Sequence, residues 1–247
     1  MSPVNQPSAP HSVELTIGRI TEAGDRLATT VSRLSDEQVR EPSLLPGWSR
    51  GHVLTHIARN ADGLRNLLIW AQTGVETAQY GSGEERDQQI EDGAARPASE
   101  LAADVSDSAQ AFLTKASELS EDAWTAEVRG FRGPAHPGWF TLHRRLAEVE
   151  IHHVDLAAGY GPADWPDWFV TDLLYRVTGQ LRGNPGTPAV TVTDADTGRQ
   201  FFLRQDGASE LDVTGPGATL LAWLLGRDDG ATLAADAEGP LPSIPPY

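Results

Sequence analysis

Four long stretches with helical periodicity fill the first two thirds of the chain. In each of them apolar residues recur at positions i, i+3 and i+4, which places them on one face of an α-helix. Because amphipathic helices bury their apolar faces against one another, the pattern predicts a four-helix bundle. Ser49 and Ser99 are candidate N-caps of the second and third helices. The stretches contain Ile17 to Leu34, ending near Ser35, then residues 49–74, 99–119 and 139–160, with a shorter acidic helix expected around 83–93.

A Gly- and Pro-rich segment, GPADWP at residues 161–166, separates this region from one with a different pattern. Two alternating runs of β-branched and aromatic residues flank Asp196-Thr197-Gly198 and indicate a β-hairpin. Around it the sequence predicts a helix at 167–182, a strand at 211–214, a helix at 216–226 and a strand near 231–236. We therefore expect an α+β protein, with a helical bundle at residues 1–163 followed by a small α/β C-terminal domain at 164–247.

Composition and charge narrow the functional classes. No apolar run approaches the roughly 18 residues of a membrane span, and the first residues, MSPVNQPSAPHS, lack the apolar core of a signal peptide. We expect a cytoplasmic protein with a short disordered N-terminal tail. A net charge of −16 disfavours nucleic acid and anionic membranes as partners. With no cysteine, the chain has no disulfide, no thiolate metal ligand and no sulfur nucleophile of its own.

Three polar residues interrupt the predicted core of the bundle. His56 follows Val53 by three residues on the apolar face of the second helix, whereas His52 lies at the edge of that face. On the fourth helix Glu148 and His152 are four residues apart and share one face. A histidine on an apolar face is most often hydrogen-bonded in the core, and spacing alone favours an ion pair and a ligand pair equally for Glu148 and His152.

Together, these three residues form a set that is common at catalytic metal sites. Two histidines and one glutamate bind catalytic zinc and leave one coordination position open, whereas structural zinc takes four protein ligands, usually including cysteine. Asp155, one turn after His152, could orient a ligand histidine or hold a neighbouring arginine. His153 points about 100° away from His152 and is expected to pack or to reach solvent. His11, His136 and His143 are expected to be exposed.

Four segments resemble the mycothiol-dependent maleylpyruvate isomerases, whose N-terminal half is a DinB-like four-helix bundle. They are SLLPGWSRGHVLTHIARN (43–60), LLIWAQTGVET (67–77), RRLAEVEIHHVDL (144–156) and LLGRDDG (224–230), and the likeness spans nearly the whole chain. The resemblance implies that His56, Glu148 and His152 bind a divalent ion, expected to be zinc, with His52 as a bystander. It also implies that Arg227 acts in catalysis and, with Arg86, binds the substrate. From the residues alone, the favoured interpretation of Arg227 is a cation at a helix C-terminus, and that of Arg86 is a solvated charge.

The resemblance also implies a reaction. Mycothiol, held as a thiolate on the metal, would add to the cis double bond of maleylpyruvate, a small dicarboxylate. Rotation about the resulting single bond and loss of the thiolate would give fumarylpyruvate, a step of gentisate-type aromatic degradation. A cation such as Arg227 would stabilise the charge that develops on the substrate's oxo groups. The alternatives are a mycothiol S-transferase, a thiol-independent zinc hydrolase and a metal-free sensor or interaction module.

Overall fold

The computed structural model describes residues 13–204, 206–207, 209–237 and 239–246. His11 and the predicted disordered tail lie outside these residues. Contacts divide the chain into two compact units, one within Pro10–Tyr160 and the other within Gly161–Tyr247. The domain boundaries expected from the sequence, 1–163 and 164–247, remain a prediction. None of the helices in the described ranges is long and apolar enough to cross a membrane.

Four long helices form the first unit, as the periodicity predicted. The long central helix α3 packs against α5 and α7, and α1 packs against the same two helices from the other side. The bounds of the four are Val13–Val31 (α1), Arg50–Thr73 (α3), Ala98–Ser117 (α5) and Phe140–Asp155 (α7). The connections hold the short helices Asp36–Arg40 (α2) and Glu121–Thr125 (α6), the acidic helix Gly83–Ala94 (α4), and an antiparallel hairpin of Glu127–Arg129 (β1) with Ala135–Pro137 (β2). The predicted acidic helix is confirmed; α2, α6 and the hairpin were not predicted.

The sequence predicted helix ends well where a side chain caps the helix, and less well where no side chain does. Ser49 caps α3 in a capping box with His52, and Gly74, with a φ of 70°, closes the other end of that helix. Ser35 does not simply end α1 but caps the following helix α2. The predicted cap Ser99 is wrong. Helix α5 already begins at Ala98, whose backbone N–H donates to the carboxylate of Asp36 at 2.7 Å, so another element satisfies its first turn.

Helices α3 and α4 approach each other very closely. A Cβ atom on Gly51 would lie 2.1 Å from the carbonyl oxygen of Ala94, and one on Gly93 would lie 2.4 Å from a methyl group of Thr55. Any larger residue at these two positions would therefore push the helices apart. This contact holds α4, and with it Arg86, against α3.

The second unit combines helices with a four-stranded sheet, and this confirms the α+β class. Strands β3 and β5 are parallel, and β4 and β6 pair antiparallel at the two edges, in the order β4-β3-β5-β6. Val192 on β3 lies opposite Phe201 and Val213, and all three are buried. The elements are a 3₁₀ turn at Pro162–Asp164, then Asp167–Leu181 (α8), Val190–Asp194 (β3), Gln200–Phe202 (β4), Leu211–Gly215 (β5), Gly217–Leu224 (α9) and Ala234–Ala235 (β6). The predicted hairpin and both predicted helices are confirmed.

Candidate metal centre

His56, Glu148 and His152 come together where α3 packs against α7. The Nε2 atom of His56 lies 3.1 Å from Nε2 of His152 and 3.1 Å from Oε2 of Glu148. The remaining edge of the triangle, from His152 Nε2 to Glu148 Oε2, is 3.2 Å. Within the described part of the chain, this is the one group of three or more His, Asp or Glu side chains arranged to hold a metal ion.

The spacing of these donor atoms suits a small divalent cation. Tetrahedral zinc with bonds of 2.0–2.1 Å holds its ligand atoms about 3.3 Å apart, close to the separations found here. The side chain of His56 is 7% exposed, but those of Glu148 and His152 are 27% and 15% exposed. The cluster is therefore open on one side, where a further ligand can approach.

Burial and mutual hydrogen bonds shift the pKa values of all three side chains. Burial lowers the pKa of His56, which favours the neutral ring. Burial alone would raise the pKa of Glu148, but hydrogen bonds from His152 and His56 outweigh it and hold this pKa well below its usual value. Burial also opposes the charge on His152, yet its bonds with Asp155 and Glu148 raise its pKa to about 9. A proton on His152 thus occupies the place that a metal ion would take.

Asp155 fixes the orientation of the His152 ring. Its carboxylate is fully buried and lies 2.7 Å from Nδ1 of His152. A proton on Nδ1 donates to this carboxylate, so Nε2 faces the cluster, which is the usual arrangement around a metal-binding histidine. Of the two roles left open for Asp155, the structure shows contact with the histidine.

His52 has a different task, although it lies one turn from His56. Its Nδ1 lies 2.7 Å from the hydroxyl of Ser49 and accepts from the Ser49 backbone N–H, which completes the cap of α3. Its Nε2 lies 3.3 Å from a carboxylate oxygen of Glu91 on α4. The ring therefore faces the start of the helix and not the cluster.

Arg86 reaches from α4 to the cluster and is not simply a solvated charge. One terminal nitrogen lies 3.2 Å from Nδ1 of His56, and the other bonds to Asp87. The guanidinium carbon lies 5.8 Å from the centre of the Tyr80 ring. Because a guanidinium only donates, this contact requires a lone pair on Nδ1 and hence a proton on Nε2 of His56. Coordination of a metal by Nε2 would require the opposite tautomer.

A small polar cavity adjoins Arg86 on the side away from His56. It has a volume of about 190 Å³ and lies among α3, α4 and the segment that joins them. Two guanidinium groups, two carboxylates, three amides and a phenol line it, from Arg59, Asp62, Gly63, Asn66, Gln79, Tyr80, Gly81, Glu85, Arg86 and Gln89.

Arg145 is a buried cation that the sequence analysis missed. Its side chain is 1% exposed, and its Nη1 donates to the Ile57 carbonyl at 2.8 Å and to Oδ1 of Asn60 at 3.0 Å. The available signal was its spacing, because Arg145 precedes Glu148 by three residues and therefore shares its helix face. Two consecutive arginines, Arg144 and Arg145, are however typical of a solvent-exposed helix face.

The other histidines are less exposed than predicted. His153 is buried, stacks on Tyr160 with ring centres 3.8 Å apart and bonds through Nε2 to the hydroxyl of Thr30, so it packs as one of its two expected outcomes. The predicted exposure of His143 is wrong, because it is buried edge-on against Trp139. His136 is also not exposed; it is half-buried in β2, and burial lowers its pKa. The ring of Phe140 lies edge-on to that of His136, with ring centres 5.2 Å apart.

Arg227 lies in the second unit, just after α9. Gly226 adopts a φ of 72°, and the Arg227 backbone N–H donates to the carbonyl of Ala222, which closes the helix. Its side chain donates from Nη1 to the carbonyl of Leu225 at 2.7 Å. This contact matches the cation at a helix C-terminus that the residues alone allowed.

Comparison with known proteins identifies the family. Two crystal structures, of a mycothiol-dependent maleylpyruvate isomerase and of a histidine-to-alanine mutant of that enzyme, match this chain with a TM-score of 0.89 and 28% sequence identity. Each match covers 95% of this chain and 97% of the other. No curated protein matches the sequence. A family model described as the mycothiol maleylpyruvate isomerase N-terminal domain matches residues 20–157, more than half of the sequence, and the chain therefore belongs to this family.

Proposed function

We propose that this protein is a mycothiol-dependent cis-trans isomerase that converts maleylpyruvate into fumarylpyruvate. The observation that carries the proposal is the triangle of donor atoms from His56, Glu148 and His152, with edges of 3.1–3.2 Å and one open side. The family and the two similar structures support the same reaction.

The cluster fits a divalent ion, for which zinc is the proposed identity. Two imidazoles and one carboxylate form the donor set of many catalytic zinc sites, and the donor separations agree with that metal. A zinc ion held by these residues would lower the pKa of a thiol at its open position and so supply a nucleophile near neutral pH.

The remaining tasks belong to side chains of the protein. Asp155 keeps the proton of His152 on Nδ1, so that Nε2 is available for binding. Arg86 and Arg227 are proposed to bind the substrate through its carboxylate and enolate oxygens, which the guanidinium fork matches in shape and charge. Such local positive charge is needed because a chain with a net charge of −16 otherwise repels a dianionic substrate.

An ultraviolet assay of maleylpyruvate with and without mycothiol tests the proposal. We expect conversion that requires the thiol and returns it unchanged, since an isomerase consumes no thiol. His56→Ala should lose both bound zinc and turnover, because the two remaining ligands, Glu148 and His152, are too few to hold the ion. His52→Gln is the matched control, since glutamine at this position preserves the capping box and should keep both.

The same assay separates the competing activities. Consumption of mycothiol would indicate a transferase, and activity without any thiol would indicate a zinc hydrolase. Absence of metal from the purified protein, or full activity in His56→Ala, would contradict the proposal.

A further inference from the structure

Arg145 carries a buried positive charge that forms no ion pair with the residues the structure describes; Glu148 is the carboxylate that stabilises this charge most. Among the residues that the structure describes, no carboxylate lies within 4 Å of its guanidinium, and its two hydrogen bonds go to the neutral oxygens of Ile57 and Asn60. Burial lowers the pKa of Arg145 to about 10, so the group is charged at neutral pH. Asn60 is itself 1% exposed.

The position of this charge relates it to the metal centre. Arg145 precedes Glu148 by one helical turn on α7, and its acceptors Ile57 and Asn60 follow His56 on α3. The guanidinium therefore lies between the two helices that provide the ligands, one turn below the cluster. Its side chain is among the largest that are fully buried, so it does not face solvent.

A brace between two helices would not need a charge. Burial of an unpaired ion is costly, and apolar side chains of similar volume usually stabilise a core at least as well as buried ionic groups. A cost of this kind, next to a candidate active site, is typical of residues that serve function at the expense of stability.

We propose that Arg145 is a positioning residue whose fixed charge makes the metal centre favour an anionic ligand. This inference rests on the proposed function. When an ion is bound, the carboxylate of Glu148 would lower the net positive charge of the centre and so weaken its attraction for a further anion. The positive charge of Arg145, one turn away, offsets that effect, and a thiol that binds as thiolate releases its proton to solvent more readily.

Protein loaded with cobalt(II) provides a readout other than turnover. Visible absorption would follow cobalt binding and then titration with 2-mercaptoethanol and with azide. The variants are Arg145→Lys, which keeps the charge, and the double variant Arg145→Met with Asn60→Leu, which removes the charge together with the acceptor that would be left unpaired. Arg65→Met is the control, because Arg65 lies nine residues after His56 on α3 and pairs with Asp62 at 3.9 Å.

We expect the double variant to bind cobalt and to unfold at an equal or higher temperature, while its affinity for both anions falls about ten-fold. A ten-fold change corresponds to about 1.4 kcal/mol, which is the order expected for the loss of one unit charge near a buried site. Arg145→Lys and Arg65→Met should stay within about two-fold of the parent protein.

Unchanged anion affinity in the double variant would overturn the inference, and so would a marked loss of stability or of cobalt, because each would make Arg145 a structural brace. Failure of the parent protein to bind cobalt is a separate result. It would refute the proposed metal centre itself and the inference with it.

Discussion

Arg86 and a divalent cation bound at Nε2 would require opposite tautomers of the His56 ring. The guanidinium needs a lone pair on Nδ1 of His56, whereas a metal on Nε2 leaves the ring proton on Nδ1. The two positive charges also repel each other. Metal binding should therefore release Arg86 from His56, and the free fork is then available for a carboxylate.

Arg86→Gln tests this requirement. We expect an affinity for zinc about five-fold higher than that of the parent protein, since one hydrogen bond of about 1 kcal/mol no longer opposes binding. Turnover should fall in the same variant if Arg86 binds the substrate. Competition titration against a chromophoric chelator measures the affinity. Arg65→Gln is the control, because Arg65 lies on α3 beside residues of α5. A lower affinity for zinc would contradict the argument.

At the scale of single residues, spacing along the helices identified the candidate ligands. The sequence did not identify residues whose importance depends on burial. Glu148 and His152 stood out because an i, i+4 pair shares a helix face, and His56 because it interrupts an apolar face. That both helices bring these residues into one triangle is a property of packing. Arg145 lies on the same face as Glu148, but a sequence does not show that an arginine is fully buried, so its role was missed.

Helix α7 carries a second polar cluster on the face that packs against α1. Glu150 is 1% exposed and bonds to Arg26 of α1 and to the hydroxyl of Tyr160, which donates at 2.6 Å. Burial and the nearby carboxylate raise the pKa of Tyr160, so its phenol remains a donor throughout the neutral range. The cluster ties the end of the first unit to α1 and α7.

Tyr160→Phe should therefore destabilise the bundle without affecting the metal centre. Loss of the phenol hydroxyl leaves one oxygen of the buried Glu150 carboxylate without this donor, at a cost of about 1–2 kcal/mol. Urea unfolding monitored by circular dichroism measures the change, and zinc content should stay the same. Glu22→Gln, at an exposed position of α1, is the control and should change stability by less than about 0.5 kcal/mol. Equal stability of Tyr160→Phe and the parent would refute this role.

In the first unit, the helices with many periodic residues were predictable, and the short elements between them were not. The long helices and α4 have caps or apolar stripes that identify them in isolation. Helices α2 and α6, with five residues each, are too short to form by themselves and depend on neighbours, as the bond between Asp36 and the start of α5 shows. The hairpin β1–β2, with three residues per strand, has the same dependence.

At the scale of the whole molecule, the proposed function assigns residues to both units. The ligand cluster and Arg86 belong to the first unit, and Arg227 belongs to the second. Arg227→Ala should leave zinc content and the unfolding temperature of the protein nearly unchanged, because the cluster does not include it. Turnover should fall by about 10²-fold or more, as for the loss of a group that stabilises charge in the transition state.

Steady-state kinetics with metal analysis on the same samples measures both effects. Arg182, at the end of α8, makes an exposed hydrogen bond to the Phe202 carbonyl. Arg182→Ala is therefore the control for removal of a charge from this unit. Unchanged kinetics in Arg227→Ala would limit Arg227 to the helix-end contact with Leu225.

The wide separation of the ligands along the chain has a consequence for folding. His56 and Glu148 are 92 residues apart, so their contact closes a long loop and forms only after α3 and α7 have docked. Glu148 and His152, in contrast, meet as soon as α7 is helical. During refolding, the absorption of a coloured metal ion would therefore change only when all three ligands bind it. Its time course would follow the docking of α3 on α7 and not the formation of the individual helices.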